Sequence, residues 1–565
     1  MNLRTFRLFL ILGLWLLTLT ACSEDLGSPT PTLAPTADPN MLTVAASPEM
    51  SPLLGKLAEQ FNATLKGKTG YVPVKIAAFS PSEMIAAALQ ADPAFQALSP
   101  DSSLWLSKLS NEWGLAFASE TAGSEALPIP RQRYSLPQRY AASPVVIAMW
   151  EKTAQSMGWP GKAIGWTALQ QRAAQDANFH WNHPSTAYAS GLLSILAEFY
   201  VGAGVNRGLT EDLAVKDATL EYVKKVEGTV RFYGEGESAI LDRLKKDGTS
   251  LLDAFVCQEQ IVLRWNNENP NQKLVAIYPV EGTLWADHPL ALLERYTDFD
   301  TTPLSTAQRD TYYEFARYLL LESAQKQILV GGYRPVNTNI DLQAAGSPFK
   351  GNASVDALQP KTTLQIPPYS VIQVIENFQA YIKKPTNVML VVDTSGSMSD
   401  SSKLPRAQTA LVSFISNIRG KNDRLGVIEF SDKIKFNSGL KPVTQEYKDS
   451  LTASVKGMSA GGNTGVYDGV LAAFQILQTQ GDANSINAIV VMTDGKENAS
   501  KLTNLNNLKA ALTKAKVPVV VFSIAFGKDA DTADMKALAE ATKGQFRQAE
   551  TFNIEELYKI ISTYF

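Results

Sequence analysis

Four apolar runs in the last third of the chain leave few folds open to it. Val388 to Val392, Leu425 to Phe430, Ile486 to Met492 and Val517 to Ser523 are dominated by Val, Ile, Leu, Met and Phe, with few polar residues among them. A strand with one wet face alternates apolar and polar residues, whereas continuous runs of this length suit strands covered on both faces. Helical spacing fills the gaps, over Pro405 to Ile418, Val466 to Gln478, Leu505 to Lys514, Ala533 to Thr542 and Ile554 to Ser562. Strand and helix in alternation, with both strand faces buried, predict a doubly wound α/β domain with a mostly parallel sheet over 386–565.

The 565 residues exceed what one core usually supports, so more than one domain is expected. Alternation also runs through the first part. Strands are expected at Leu42 to Ala46, Val72 to Phe79, Val145 to Trp150 and Lys273 to Tyr278. Helices are expected at Ser51 to Asn62, Ser82 to Leu89, Gly191 to Val201, Ser238 to Lys246 and Arg309 to Leu321. This part reads as α/β with mainly parallel sheets over 41–350. Residues 351–385 form a connector, irregular to Pro368 and then helical from Val371 to Lys383. Apolar content of 45% and charged content of 19% suit globular domains, and a net charge of −3 gives no electrostatic footprint for nucleic acid.

The amino terminus reads as processing sequence. Arg4 and Arg7 precede a short apolar stretch, Leu8 to Leu19, and Leu19-Thr20-Ala21-Cys22 follows. This resembles the lipobox of bacterial lipoproteins. The resemblance implies a signal peptide over 1–21, acylation of Cys22, and an extracytoplasmic protein lipid-anchored to the bacterial cell membrane. Residues 22–40, rich in Pro, Thr and Ser, read as a tether. Cys257 then stands alone in an apolar run, as a buried small hydrophobe.

The strand runs of the last domain end in oxygen ligands. Asp393, Ser395 and Ser397 follow the first, and Asp494 follows Ile486 to Thr493. Thr464 sits at a helix start in Gly461-Gly-Asn-Thr464-Gly-Val-Tyr-Asp468. In open α/β sheets ligands bind beyond the carboxyl ends of strands, and Mg²⁺ or Mn²⁺ takes about six hard oxygens. These three motifs together resemble the metal-ion-dependent adhesion site of von Willebrand factor type A domains. The resemblance implies direct metal bonds from Ser395, Ser397 and Thr464, and direct or water-mediated bonds from Asp393 and Asp494. A protein partner would complete the shell with an exposed acidic residue. Asn463 departs from the family's usual Gly-Gly-Thr and puts the register of Thr464 in question.

Over Leu42 to about Asn339, phrases such as Ala142-Ser-Pro-Val-Val-Ile-Ala, Tyr278-Pro-Val-Glu-Gly-Thr-Leu-Trp and Gly332-Tyr-Arg-Pro-Val-Asn resemble two-lobed extracellular solute-binding proteins of ABC importers. The resemblance implies two crossings between lobes, placed near Ser143-Pro144 and Tyr278-Pro279, and a cleft that closes on a small solute or peptide. Ser47, Ser80, Ser82, Ser102 and Ser103 of the first lobe, with Ser185 and Thr186 of the second, are cleft candidates; each is equally a helix N-cap. The cleft is also open to a role as spacer or protein-binding platform. His180-Trp-Asn-His183 reads as loop. No nucleophile elbow, paired-Cys zinc pattern or phosphate loop occurs, so a binding protein is expected, not an enzyme. Two assignments follow: a surface protein that grips an acidic ligand through its metal, with the solute-binding-like domain as second module, or the solute receptor of an importer with an accessory docking domain.

Overall fold

The structure is a computed structural model. It describes residues 38–118 and 132–549, except 232, 234, 235, 419 and 421, together with Ile554, Tyr558 and Ile561. The signal peptide, Cys22 and the tether as far as residue 37 lie outside the described residues.

The strand runs of the carboxy-terminal domain form one sheet in the order Ile434–Asn437, Arg424–Phe430, Thr386–Asp393, Ile486–Thr493, Val520–Phe526 and Gln545–Ala549. Every pair from Arg424–Phe430 to Gln545–Ala549 is parallel. Only the edge segments Ile434–Asn437 and Lys441–Pro442 run antiparallel. Alternate residues of the central strand feed two cores. Val388, Leu390 and Val392 meet Ala407, Leu411 and Phe414 on one side, and Met389 and Val391 meet Val470, Leu477 and Leu508 on the other. Two covered faces explain why the run is apolar throughout.

The strand expected at Val517 to Ser523 is displaced to Val520–Phe526. Pro518 has no N–H to give to a ladder, and Val517 N–H is taken instead by the Gln478 side chain at 3.0 Å. The edge segments, helix Gln445–Lys456 and strand Gln545–Ala549 carry too little apolar signal to stand out in the sequence. Of the expected last helix, Ile554, Tyr558 and Ile561 are described, helical and buried.

The first domain has two sheets, and both are mixed where mainly parallel ones are expected. In the first lobe, Leu42–Ala46 lies parallel to Val74–Ala78 and Ala97–Ser99, while Pro289–Leu292 runs antiparallel to Ala97–Ser99 and to Gln138–Arg139. In the second, the long strand Ala141–Trp150 pairs antiparallel with Ala254–Gln258, Leu274–Ile277, Trp285–Ala286 and Arg334–Pro335. The chain therefore crosses between lobes at Tyr140, at Asp287–His288 and at Tyr333: three crossings, not two. Tyr278-Pro279 is not a crossing, because Trp285–Ala286 still pairs with second-lobe strand residues Ser143 and Pro144.

Helix Tyr369–Ile382 is no free link. Lys108 of the first lobe reaches Glu376 at 2.8 Å. The second lobe also touches the end of the connector and the carboxy-terminal domain: Lys384 N–H donates to the Tyr233 hydroxyl at 2.9 Å, Lys543 Nζ donates to the Ser250 carbonyl at 2.8 Å, and Arg243 donates to the Lys543 carbonyl. Cys257 is fully buried. His180 and His183 lie outside regular secondary structure on either side of strand Trp181–Asn182, and His183 is fully buried 3.3 Å from Glu227. Burial alone would lower its pKa, but Glu227 raises it above the ordinary value.

Arg133 pins the first lobe. It is wholly buried, pairs with both oxygens of Asp300 at 2.6 and 2.9 Å, and donates to the carbonyls of Ala88, Gln90 and Glu294. Arg133→Met leaves three carbonyls and part of a buried carboxylate unpaired, and is expected to lower stability by about 3 kcal/mol. Denaturant unfolding should show the loss in the transition of the first domain, with that of the carboxy-terminal domain unmoved.

Candidate metal centre

Parallel pairing delivers several strand ends to one edge. Asp393 stands opposite Phe430, and Thr493 lies one residue past the pair Val392–Met492. The Thr493 hydroxyl donates to Asp393 Oδ2, tying the two central strands together at that edge. Asp393 Oδ1 accepts the Ser395 N–H at 2.7 Å, which turns the backbone so that the hydroxyls of Ser395 and Ser397 approach to 3.2 Å. The Ser397 hydroxyl donates to Asp494 Oδ1 at 2.6 Å.

The third loop closes over this group. Gly396 N–H donates to the Gly462 carbonyl, and Gly461 N–H to the Thr394 carbonyl, each at 2.9 Å. Lys435 Nζ binds the carbonyls of Thr394, Ser459 and Gly461 at 3.1 to 3.2 Å. Asn463 does not push Thr464 out of place. Gly462 takes φ +91°, a left-handed value open to glycine, and Asn463 stays exposed. Thr464 is buried, held by Asn498 through both its N–H and its carbonyl at 2.9 Å. A methyl built on Gly495 would lie 2.8 Å from Thr464 Oγ1 and 3.6 Å from Ser397 Oγ, so the two hydroxyls face one point.

All five residues singled out in this domain thus come together. Asp393, Ser395, Thr464 and Asp494 are buried, and Ser397 is half-buried. Among the described residues no three His, Cys, Asp or Glu cluster for a metal, so hydroxyls supply most of the donors here. The oxygen spacings of 2.6 and 3.2 Å bracket the about 2.9 Å edge of an octahedron with Mg²⁺–oxygen bonds of ~2.1 Å. The donor set fits Mg²⁺ or Mn²⁺. Burial pushes the Asp393 carboxyl up to about 6, helped by the charge of Asp494 and opposed by the Thr493 and Ser395 hydrogen bonds. A nearby cation is what such a group lacks.

Sequence reasoning missed Lys403. Its ammonium lies 2.6 Å from Asp494 Oδ2, with the side chain 10% exposed. A lysine in the first turn of helix Lys403–Asn417 opposes the helix dipole, and Asp494 offsets that. The 3₁₀ segment Gly396–Ser402 folds the helix start back over the site, with Ser401 and Ser402 at φ +51° and +57°. No short motif signals this. Both Asp494 oxygens are therefore engaged, one by Ser397 and one by Lys403.

The first-domain candidates divide differently. Ser80 is an N-cap, in a reciprocal box with Glu83. Ser82 donates its N–H to the Ala187 carbonyl across the lobes at 3.3 Å, and with Thr186 lines a cavity of about 490 Å³. Ser103 N–H is taken by Asp287 at 2.7 Å. Ser185 Oγ accepts the Ala187 N–H, and Ser102 Oγ the Leu104 N–H. Ser47 is buried with its hydroxyl unpartnered.

A doubly wound sheet with oxygen side chains at its carboxyl edge and a two-lobed domain before it define a two-domain α/β architecture. Residues 387–560 match the von Willebrand factor type A domain, and residues 42–334 match bacterial extracellular solute-binding proteins. The second match spans more than half of the chain, which belongs to that family of bacterial extracellular solute-binding proteins. Among curated proteins, calcium-activated chloride channel regulator 1 of Bos taurus is 24% identical over 206 residues, 36% of this chain and 20% of that protein. Inter-alpha-trypsin inhibitor heavy chain H6 of Homo sapiens is 31% identical over 174 residues, 29% of this chain and 13% of that protein. The chain thus spans a fifth or less of these relatives. Among solved structures, a periplasmic thiamin binding protein is 14% identical, with 60% of this chain and 95% of that one covered at a TM-score of 0.42. A von Willebrand factor type A protein from Catenulispora acidiphila is 17% identical, with 32% and 42% covered at 0.29.

Two substitutions probe the centre. Gly495→Ala drives a methyl against Thr464 Oγ1 and should weaken Mn²⁺ binding at least tenfold by calorimetry, with the circular dichroism spectrum kept. Lys403→Met leaves Asp494 without its buried partner, so stability without metal should fall by about 3 kcal/mol. Saturating Mg²⁺ should restore more stability to this variant than it adds to the parent; equal gains would show that Lys403 and the cation do not share Asp494.

Proposed function

We propose that this chain is an extracytoplasmic binding protein, held to the bacterial membrane through Cys22, that captures a protein or other acidic ligand through a divalent cation at its carboxy-terminal domain. The observation that carries this reading is the convergence of three loops on one oxygen cluster at the sheet edge. Ser395, Ser397 and Thr464 would hold Mg²⁺ or Mn²⁺ directly. Asp393, fixed by Thr493 and the Ser395 N–H, would sit beneath it, and Asp494 would balance its charge while Lys403 holds the far oxygen. Bound there, the cation supplies an electrophilic position for a carboxylate from outside. These five residues offer fewer oxygens than six-coordinate Mg²⁺ takes once Asp393 or Asp494 acts through water, which leaves room for that ligand.

Among the described residues no helix is long and apolar enough to cross a membrane, and the reading places the anchor at the lipid on Cys22. The solute-binding-like domain then serves as a second binding module. A second reading, the solute receptor of an ABC importer with the carboxy-terminal domain as a docking accessory, draws on the family of residues 42–334 and on the three hinge crossings. In both readings the chain binds and carries out no covalent chemistry.

Capture from the native cell envelope separates the two. Partner recovery should be high in Mg²⁺, fall at least tenfold in EDTA, and fall equally with Asp393→Ala. Recovery that survives both treatments would sink the metal-dependent reading, and a saturable small-solute response of the same chain in EDTA would favour the importer.

A further inference from the structure

The closed face between the two lobes buries more negative charge than it neutralises. Glu49 and Asp101 come from first-lobe loops, after strands Leu42–Ala46 and Ala97–Ser99, and Glu237 opens second-lobe helix Glu237–Asp247. All three are buried, at 6%, 1% and 0% exposure. Glu49 and Glu237 lie close enough to Asp101 for the charge of each to bear on it. Glu49 accepts the Ser238 N–H and hydroxyl across the lobes at 3.0 and 2.6 Å, beside Glu237. Asp101 Oδ2 accepts from Gln258 of the second lobe at 3.3 Å.

Only one of the three carboxylates has a counter-charge. Arg264 lies 3.5 Å from Glu49. Among the described residues no ion pair reaches Asp101 or Glu237. His288, bonded through Nε2 to Gln258 at 2.9 Å, offers none, because burial holds its pKa down at about 3. Burial and the neighbouring acids push Asp101 well above the ordinary carboxylate range and Glu237 up to about 7.

Several polar atoms of this cluster are left without close partners. Both Glu237 oxygens and Asp101 Oδ1 make no hydrogen bond. Ser47 Oγ stands beside Asp101 and Ser190 Oγ beside Glu237 as hydrogen-bonding neighbours; both residues are at most 1% exposed, and neither contact has the geometry of a full hydrogen bond. His288 Nδ1 is also unpartnered. Buried polar atoms are rarely left so. A free oxyanion would meet two acids here and no cation beside them, so the cluster disfavours anions. A single metal ion fits poorly too, since no three acidic or His side chains gather closely enough to hold one. Two acids, each with a hydroxyl beside it, match a ligand that brings two positive charges.

We propose that this interlobe cluster of acids binds a small organic dication of the alkyl diamine class, with Asp101 and Glu237, ionised when the dication binds, as its counter-charges and Ser47 and Ser190 as further hydrogen-bonding partners. The ligand enters when the lobes part about the crossings at Tyr140, Asp287–His288 and Tyr333, and closure sets Glu49 against Ser238 and Asp101 against Gln258. This site is independent of the carboxy-terminal metal centre.

The test is calorimetric titration of the full chain in EDTA, which silences the metal centre, with putrescine, cadaverine, sodium sulfate and sodium acetate. A saturable heat with a diamine, weakened at least tenfold in both Glu237→Gln and Asp101→Asn, is the expected result. Glu237→Gln removes a charge that has no partner, so its ligand-free melting temperature should hold or rise. The proposal is overturned if neither diamine gives a saturable heat, if the heat survives both substitutions, if sulfate or acetate binds in the diamine's place, or if Glu237→Gln lowers the ligand-free melting temperature and so makes Glu237 a structural residue.

Discussion

Everything at the carboxyl edge of the last domain depends on the ladder between Thr386–Asp393 and Ile486–Thr493. Val392 pairs with Met492 in parallel register, so the next residue of each strand, Asp393 and Thr493, emerges at the same level. Their side chains join by a hydrogen bond. A slip of one residue would turn every side chain of a strand to the opposite face, sending Asp393 into a core and Val392 to the edge. The oxygen cluster is thus a consequence of sheet register. Both faces must be apolar to hold the strands, and the polar chemistry is confined to the strand ends.

The same confinement explains which parts of the centre were legible in the sequence. Asp393, Ser395 and Ser397 are contiguous, and Asp494 immediately follows an apolar run, so strand and ligand could be read together. Thr464 was readable from its helix start, although only the structure shows how Gly462 absorbs Asn463. Lys403 was not readable. A lysine opening an amphipathic helix is ordinarily a solvated residue, and its burial depends on the two left-handed residues Ser401 and Ser402. The strand after Pro518 was misplaced by three residues, because an apolar run reports burial and does not report where a ladder can begin.

In the first domain the legible and the hidden separate more sharply. Strands and helices there announce themselves by periodicity, but the crossings between lobes do not. Ala141–Trp150 receives Trp285–Ala286 and Arg334–Pro335 at its first residues, pairings from segments more than 140 residues away. Several of the serines singled out at helix starts serve as caps or turn contacts. The interlobe acids Glu49, Asp101 and Glu237 are spread over nearly 190 residues, and no local pattern unites them. Only the fold brings them together in one buried cluster.

The central claim is that five side chains from three loops hold one divalent cation above Asp393. Crystals of the full chain grown with Mn²⁺ test it most directly, because manganese scatters anomalously and reports its own position. The account predicts an anomalous peak among the hydroxyls of Ser395, Ser397 and Thr464, absent in Asp393→Ala crystals. Saturating Mn²⁺ with no peak at that position, or a peak that persists without the Asp393 carboxylate, would contradict it.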